Sequence, residues 1–102
     1  MTDTIAYIQE MLSREELLVM LAEECSELSK AALKLRRVYN GDNPTPMTRA
    51  DAYTNLVEEI ADVTLVIEVL GLNSVENLYN IGKIWDEKLA RWESRLLAKE
   101  NE

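Results

Sequence analysis

Two segments of the chain repeat apolar residues at helical spacing, and each carries a pair of acids inside its apolar stripe. The pairs are Glu24 with Glu27 and Glu59 with Asp62. At about 100° per residue, the second acid of each pair lies about 60° from the first, on the same side of the helix. The sequence therefore predicts two helices that share one geometry, and this constrains the fold more than any other feature.

The residues around Glu24 and Glu59 show how unusual their positions are. The apolar residues that share a helical face with each glutamate lie within about 40° of its direction. For Glu24 they are Leu17, Met20, Leu28, Ala31, Leu35 and Val38, and for Glu59 they are Ala52, Val63, Val66 and Leu70. An unpaired carboxylate in such a setting is costly, and neighbouring carboxylates also repel one another.

Acids in this setting must be protonated, paired with bases, or bound to a cation. Lys30 and Arg36 are expected to point away from the two acidic faces, which favours the cation. A set of oxygen ligands without His suits Mg²⁺ or Mn²⁺ and argues against zinc. The alternative interpretation is two ordinary acid pairs in solvent at the edges of their helices.

These segments resemble a known family of enzymes. Residues 21–28 read LAEECSEL and residues 58–63 read EEIADV. They are similar to the MazG-like all-α nucleoside triphosphate pyrophosphohydrolases, whose signature is ExxE on one helix and ExxD on a second. The resemblance extends from about Leu17 to Leu97, with a longer gap between the two motifs than is usual in the family.

The resemblance implies an acid anhydride hydrolase that cleaves a nucleoside triphosphate into the monophosphate and pyrophosphate. Glu24, Glu27, Glu59 and Asp62 would be the catalytic and metal-binding residues, and would hold one or more Mg²⁺ or Mn²⁺ ions. One glutamate would orient the attacking water. Two alternatives stay open, namely hydrolysis of phosphoribosyl-ATP and a non-catalytic helical oligomerisation module.

The resemblance continues near the end of the chain. The stretch from Asp86 to Arg91 is similar to the family's closing motif, an Asn followed by a Lys and an Arg, with Asp86 in place of the Asn. It implies that Lys88 and Arg91 contact the triphosphate. Pairing of Glu87 with Arg91 on the helix surface, at i and i+4, is the competing interpretation.

The composition limits the other functions that the chain can have. It has 102 residues and a net charge of −8 without a basic tract, which argues against polymeric nucleic acid and anionic membranes as partners. The absence of His excludes triads that depend on an imidazole. Cys25, the one cysteine, cannot form an internal disulfide and is expected to be a buried filler, compatible with the cytoplasm. No secretory leader is expected in residues 1–10.

The predicted fold is a single all-α domain over residues 1–102, an antiparallel bundle of one short and three long helices. The helices are expected at about 3–12, 14–39, 49–70 and 75–99, with N-caps at Ser13, Thr48 and Asn73 or Ser74, and with Gly71 as a C-cap. Residues 40–46 are expected to form a loop that can act as a lid. The third helix is apolar over half its circumference, so a dimer or tetramer should complete the bundle. The fourth helix is expected to bury Leu78, Ile81, Trp85, Leu89, Trp92 and Leu96.

Overall fold

The computed structural model of the protein describes residues 3–41 and 46–101, and it contains four helices and no strand within them. They are α1 (Thr4–Met11), α2 (Arg14–Asn40), α3 (Arg49–Leu70) and α4 (Val75–Glu100). The prediction of an all-α chain with one short and three long helices is confirmed. Most of the predicted loop, and with it the possible lid, lies outside the described residues.

The helices begin where side-chain oxygens can accept hydrogen bonds from free backbone N–H groups. The hydroxyl of Ser13 accepts from the N–H three residues later at 3.0 Å, and that of Thr48 does the same at 3.1 Å. Ser74, and not Asn73, caps α4 at 3.2 Å. Such caps satisfy donors that the first helical turn leaves unpaired, which explains why the sequence predicted these boundaries well.

The end of α3 is fixed from three sides. Gly71 adopts a left-handed conformation (φ 72°). Its N–H donates to the backbone carbonyl oxygens three and four residues earlier in the helix. The side-chain amide of Gln9 donates to the carbonyl of Val69 at 2.8 Å. The guanidinium of Arg14 donates to the carbonyl of Leu70 at 3.2 Å. All four carbonyls that a helix end leaves unpaired therefore have a donor.

The core lies mainly between α2 and α3. Ala31 of α2 and Ala52 of α3 are only 2% and 1% exposed, so small side chains allow close packing where these residues lie. The other buried residues are Leu17 of α2 and Val63, Val66, Val69 and Leu70 of α3. Since α3 contacts both α1 and α2 and supplies most of the buried residues, it is the central helix of this part of the chain.

The chain divides into two compact units, one ending at Gly71 and the other beginning at Leu72. The second unit has α4 as its single helix, and α4 has no buried residue. The prediction that α4 buries an apolar stripe is wrong within this chain, because Trp85 is 64% and Trp92 is 56% exposed. Helical periodicity identifies an apolar face, but it does not identify the surface that covers it.

Among the described residues, none of the helices combines the length and the apolarity that a membrane crossing requires.

Candidate metal centre

The packing of α2 on α3 brings three of the four predicted metal ligands together. Glu24 comes from α2, and Glu59 and Asp62 come from one turn of α3. Each offers a carboxylate oxygen, and the three oxygens lie within 4.8 Å of one another. Glu24 and Glu59 are half-buried and Asp62 is exposed. Carboxylate oxygens this close together can bind one divalent cation.

The apolar surroundings predicted for this cluster are complete on the face of Glu59 and partial on the face of Glu24. The four residues expected on the face of Glu59, which are Ala52, Val63, Val66 and Leu70, are all buried. On the face of Glu24, Leu17 and Ala31 are buried, whereas Met20 is 37% exposed. The cluster therefore lies at the edge of the core, where one side is apolar and the other side is open to solvent.

The charged form of Glu59 is disfavoured by its surroundings. Its partial removal from water raises the pKa of its carboxyl group, and repulsion from neighbouring acids raises this pKa further. In decreasing order of effect, those neighbours are Asp62, Glu24, Glu27 and Glu58. Because both causes penalise the charged form, a bound cation would favour the ionised state of Glu59.

The fourth predicted ligand, Glu27, is engaged elsewhere. Its Oε1 lies 3.3 Å from the Nζ of Lys30, one helical turn later, and it is not among the three clustered oxygens. The expectation that Lys30 points away from the acids is wrong. Residues at i and i+3 are neighbours on a helix surface, so the spacing itself was the signal for this pair.

Cys25 is exposed, which contradicts the expectation of a buried filler. It follows Glu24 directly, so a rotation of about 100° takes it off the apolar face on which Glu24 lies. The position of Cys25 next to a half-buried residue in the sequence therefore did not predict that Cys25 is buried.

The predicted substrate-binding residues belong to α4. Together with Trp92 and Arg95, Lys88 and Arg91 line a surface hollow of about 290 Å³. Within the described part of α4, no ion pair joins Glu87 to Arg91, so the competing interpretation of Arg91 is not observed. The hollow presents three cationic groups beside one indole ring, a combination that suits an anionic ligand.

Two tyrosines lie near the end of α2 and the start of α3. Tyr39 and Tyr53 are 54% and 58% exposed. The guanidinium carbon of Arg49 lies 4.9 Å from the centre of the Tyr39 ring, a cation–π contact between the end of α2 and the start of α3. Tyr39 therefore has a structural partner in the chain.

Comparisons with protein-family models, curated proteins and solved structures find no match to this chain. Any function assigned to it therefore depends on the acidic motifs and on the geometry described above.

Proposed function

We propose that this protein is a metal-dependent nucleoside triphosphate pyrophosphohydrolase that releases a nucleoside monophosphate and pyrophosphate. The observation that carries the proposal is the approach of three carboxylate oxygens, from two helices, to within 4.8 Å of one another. The resemblance of both acidic motifs to the MazG-like family supplies the reaction.

The residues present fit a hard divalent cation. Glu24, Glu59 and Asp62 offer oxygen only, as Mg²⁺ and Mn²⁺ prefer. Partial removal from water, and then repulsion from neighbouring acids, raises the pKa of Glu59, and a cation would offset both effects. When bound, the cation would neutralise charge on the phosphates and lower the pKa of the attacking water.

Glu27 would be the fourth ligand after leaving Lys30. The carboxylate side chain is 53% exposed and the lysine side chain 70% exposed. Ion pairs as exposed as this contribute about 0–1 kcal/mol, so exchanging Lys30 for a cation costs little. Release of Lys30 would also provide a positive charge near the phosphates.

The rest of the reaction depends on the positioning of the water and the phosphates more than on a covalent intermediate. The chain has no His, and its acids can orient water without forming a covalent intermediate. Lys88 and Arg91 would bind phosphate oxygens through charge-assisted hydrogen bonds.

The test is release of pyrophosphate from a panel of nucleoside triphosphates, and from phosphoribosyl-ATP, with and without Mg²⁺. Glu59→Gln should abolish release while the helical circular dichroism spectrum stays unchanged. Glu58→Gln is the matched control, because it alters the adjacent exposed glutamate, and it should retain activity. Full activity of Glu59→Gln would refute the proposal.

The exposed apolar face of α4 supports a second candidate, a helical oligomerisation module without catalytic activity. The two functions differ in their response to metal. A true metal site raises the melting temperature as the concentration of Mg²⁺ or Mn²⁺ increases, whereas a module without a site shows no such shift.

A further inference from the structure

The fourth helix carries an apolar seam with a repeat of seven residues. Its positions alternate in steps of three and four, and the apolar residues at six of the eight positions are each more than half exposed. They are Val75, Leu78, Trp85, Leu89, Trp92 and Leu96. Gly82 and Lys99 occupy the two remaining positions of the repeat. A mean spacing of 3.5 residues, kept over about three and a half heptads, is typical of a two-stranded coiled coil.

The surface of α4 has the hollows that such pairing needs. One hollow, of about 280 Å³, is lined by Trp85, Lys88, Leu89 and Trp92, at positions i, i+3, i+4 and i+7. A second, of about 480 Å³, includes four residues with the same spacing, from Leu89 to Leu96. Four residues in this arrangement form the hole that receives one side chain of a facing helix.

The charges beside the seam favour a second copy of α4 in the same direction. Lys88 and Arg95 flank it on one side, and Glu93 and Glu100 flank it on the other. In a parallel pair, each cation faces the acid five residues later on the second helix. Lys88 would then face Glu93 of the second copy and Arg95 would face Glu100, twice by symmetry. An antiparallel pair would bring flanks of like charge together.

We propose that α4 pairs with α4 of a second copy of this chain as a parallel two-stranded coiled coil. Burial of the hydrophobic seam drives the association, and the four symmetric ion pairs determine that the two helices run in the same direction. This proposal uses none of the acids of the candidate metal centre, but it shares Lys88 with the proposed phosphate contacts. Exchange of Glu93 and Glu100 leaves Lys88 unchanged and therefore tests the pairing separately from the hydrolase activity.

Charge exchange tests the proposed pairing in the full-length chain. An acidic variant with Lys88→Glu and Arg95→Glu, and a basic variant with Glu93→Lys and Glu100→Lys, should each raise the dimer dissociation constant at least about tenfold. An equimolar mixture should recover association as a heterodimer, since opposite charges then face each other. Sedimentation equilibrium measures all three samples.

The matched control applies the same charge change away from the seam, with Lys83→Glu and Arg91→Glu, and should leave the dissociation constant within about twofold of the original. A chain that is monomeric at micromolar concentration would overturn the proposal. Equal dissociation constants for the acidic variant and the control would overturn it too, because a dimer formed through another face would behave in this way.

Disulfide trapping tests the direction. In a Cys25→Ala background, Val75→Cys should give a covalent dimer under mild oxidation, because parallel helices bring equivalent residues together. The control mixes Val75→Cys with Lys99→Cys. A cross-link formed only in that mixture would show antiparallel helices and overturn the proposal.

Discussion

The side-chain amide of Gln9 donates a hydrogen bond to the backbone carbonyl of Val69 at 2.8 Å, which joins α1 to the last turn of α3. The guanidinium of Arg14 makes the equivalent bond to Leu70. These two bonds link positions 60 and 56 residues apart in the chain. The end of the helix that carries Glu59 is thus fixed by the beginning of the chain.

Loss of these donors should destabilise the first unit. Gln9→Ala and Arg14→Ala should each lower the free energy of unfolding by about 1 kcal/mol, because a partly buried carbonyl then loses its hydrogen bond. Urea denaturation followed by circular dichroism measures the change. Glu10→Ala, an exposed neighbour on α1, should have little effect. Equal losses in all three variants would show that the two hydrogen bonds contribute nothing specific.

Stability without metal should depend on pH through Glu59. Its pKa is raised in the folded chain, so between the ordinary glutamate pKa and this raised value the unfolded chain has lost a proton that the folded chain retains. The free energy of unfolding should therefore fall as pH rises through that window. In EDTA, Glu59→Gln should be more stable than the original chain at neutral pH, and the difference should vanish at pH values below the window.

The measurement is urea denaturation across that pH range. Glu10→Gln provides the control, since it removes an exposed glutamate of α1 outside the cluster. If Glu59→Gln followed the same pH dependence as the original chain, the electrostatic account of the cluster would be wrong.

Close packing of α2 on α3 should be required for the acidic cluster. Ala52→Leu places a larger side chain where Ala52 is 1% exposed, and overpacking of this kind costs about 1–3 kcal/mol. It should also separate the helices and weaken any melting-temperature shift caused by Mn²⁺. Ala32→Leu, on the exposed side of α2, should preserve both stability and the shift. An unchanged Mn²⁺ response in Ala52→Leu would show that the acidic cluster does not depend on the core packing.

Capping should set the stability of the two long helices that carry the acids. Ser13→Ala and Thr48→Ala should each cost about 1 kcal/mol, because a first-turn N–H loses its side-chain acceptor. Ser26→Ala is the matched control in the middle of α2, where alanine favours the helix slightly. Thermal melts measured in parallel would show whether the losses are confined to the two caps.

The helix boundaries were predictable because local chemistry determines them. Ser13, Thr48 and Ser74 offer hydroxyl acceptors, and Gly71 tolerates a left-handed backbone. The clustering of Glu24 with Glu59 followed from apolar faces that must meet. These are short-range or face-level properties, and the sequence contains them directly.

Other features could not be predicted from the sequence. They depend on contacts between residues far apart in the chain, or on a choice between two possible partners. The stripe that includes Trp85 and Trp92 is real, but periodicity does not reveal whether this chain or another covers it. Glu27 had two possible partners, a shared cation and Lys30, and the chain by itself forms the ion pair. The donors Gln9 and Arg14 were missed because no spacing rule relates residues so far apart in the chain.

The exposure of Cys25 has a practical consequence, since it is the only thiol of the chain and lies directly after Glu24. A nitroxide attached there would sit beside the candidate centre without any engineered substitution. Arrival of paramagnetic Mn²⁺ would shorten the relaxation of that label, whereas Mg²⁺ would leave it unchanged. The native sequence thus contains its own attachment point for a spectroscopic reporter of ion occupancy.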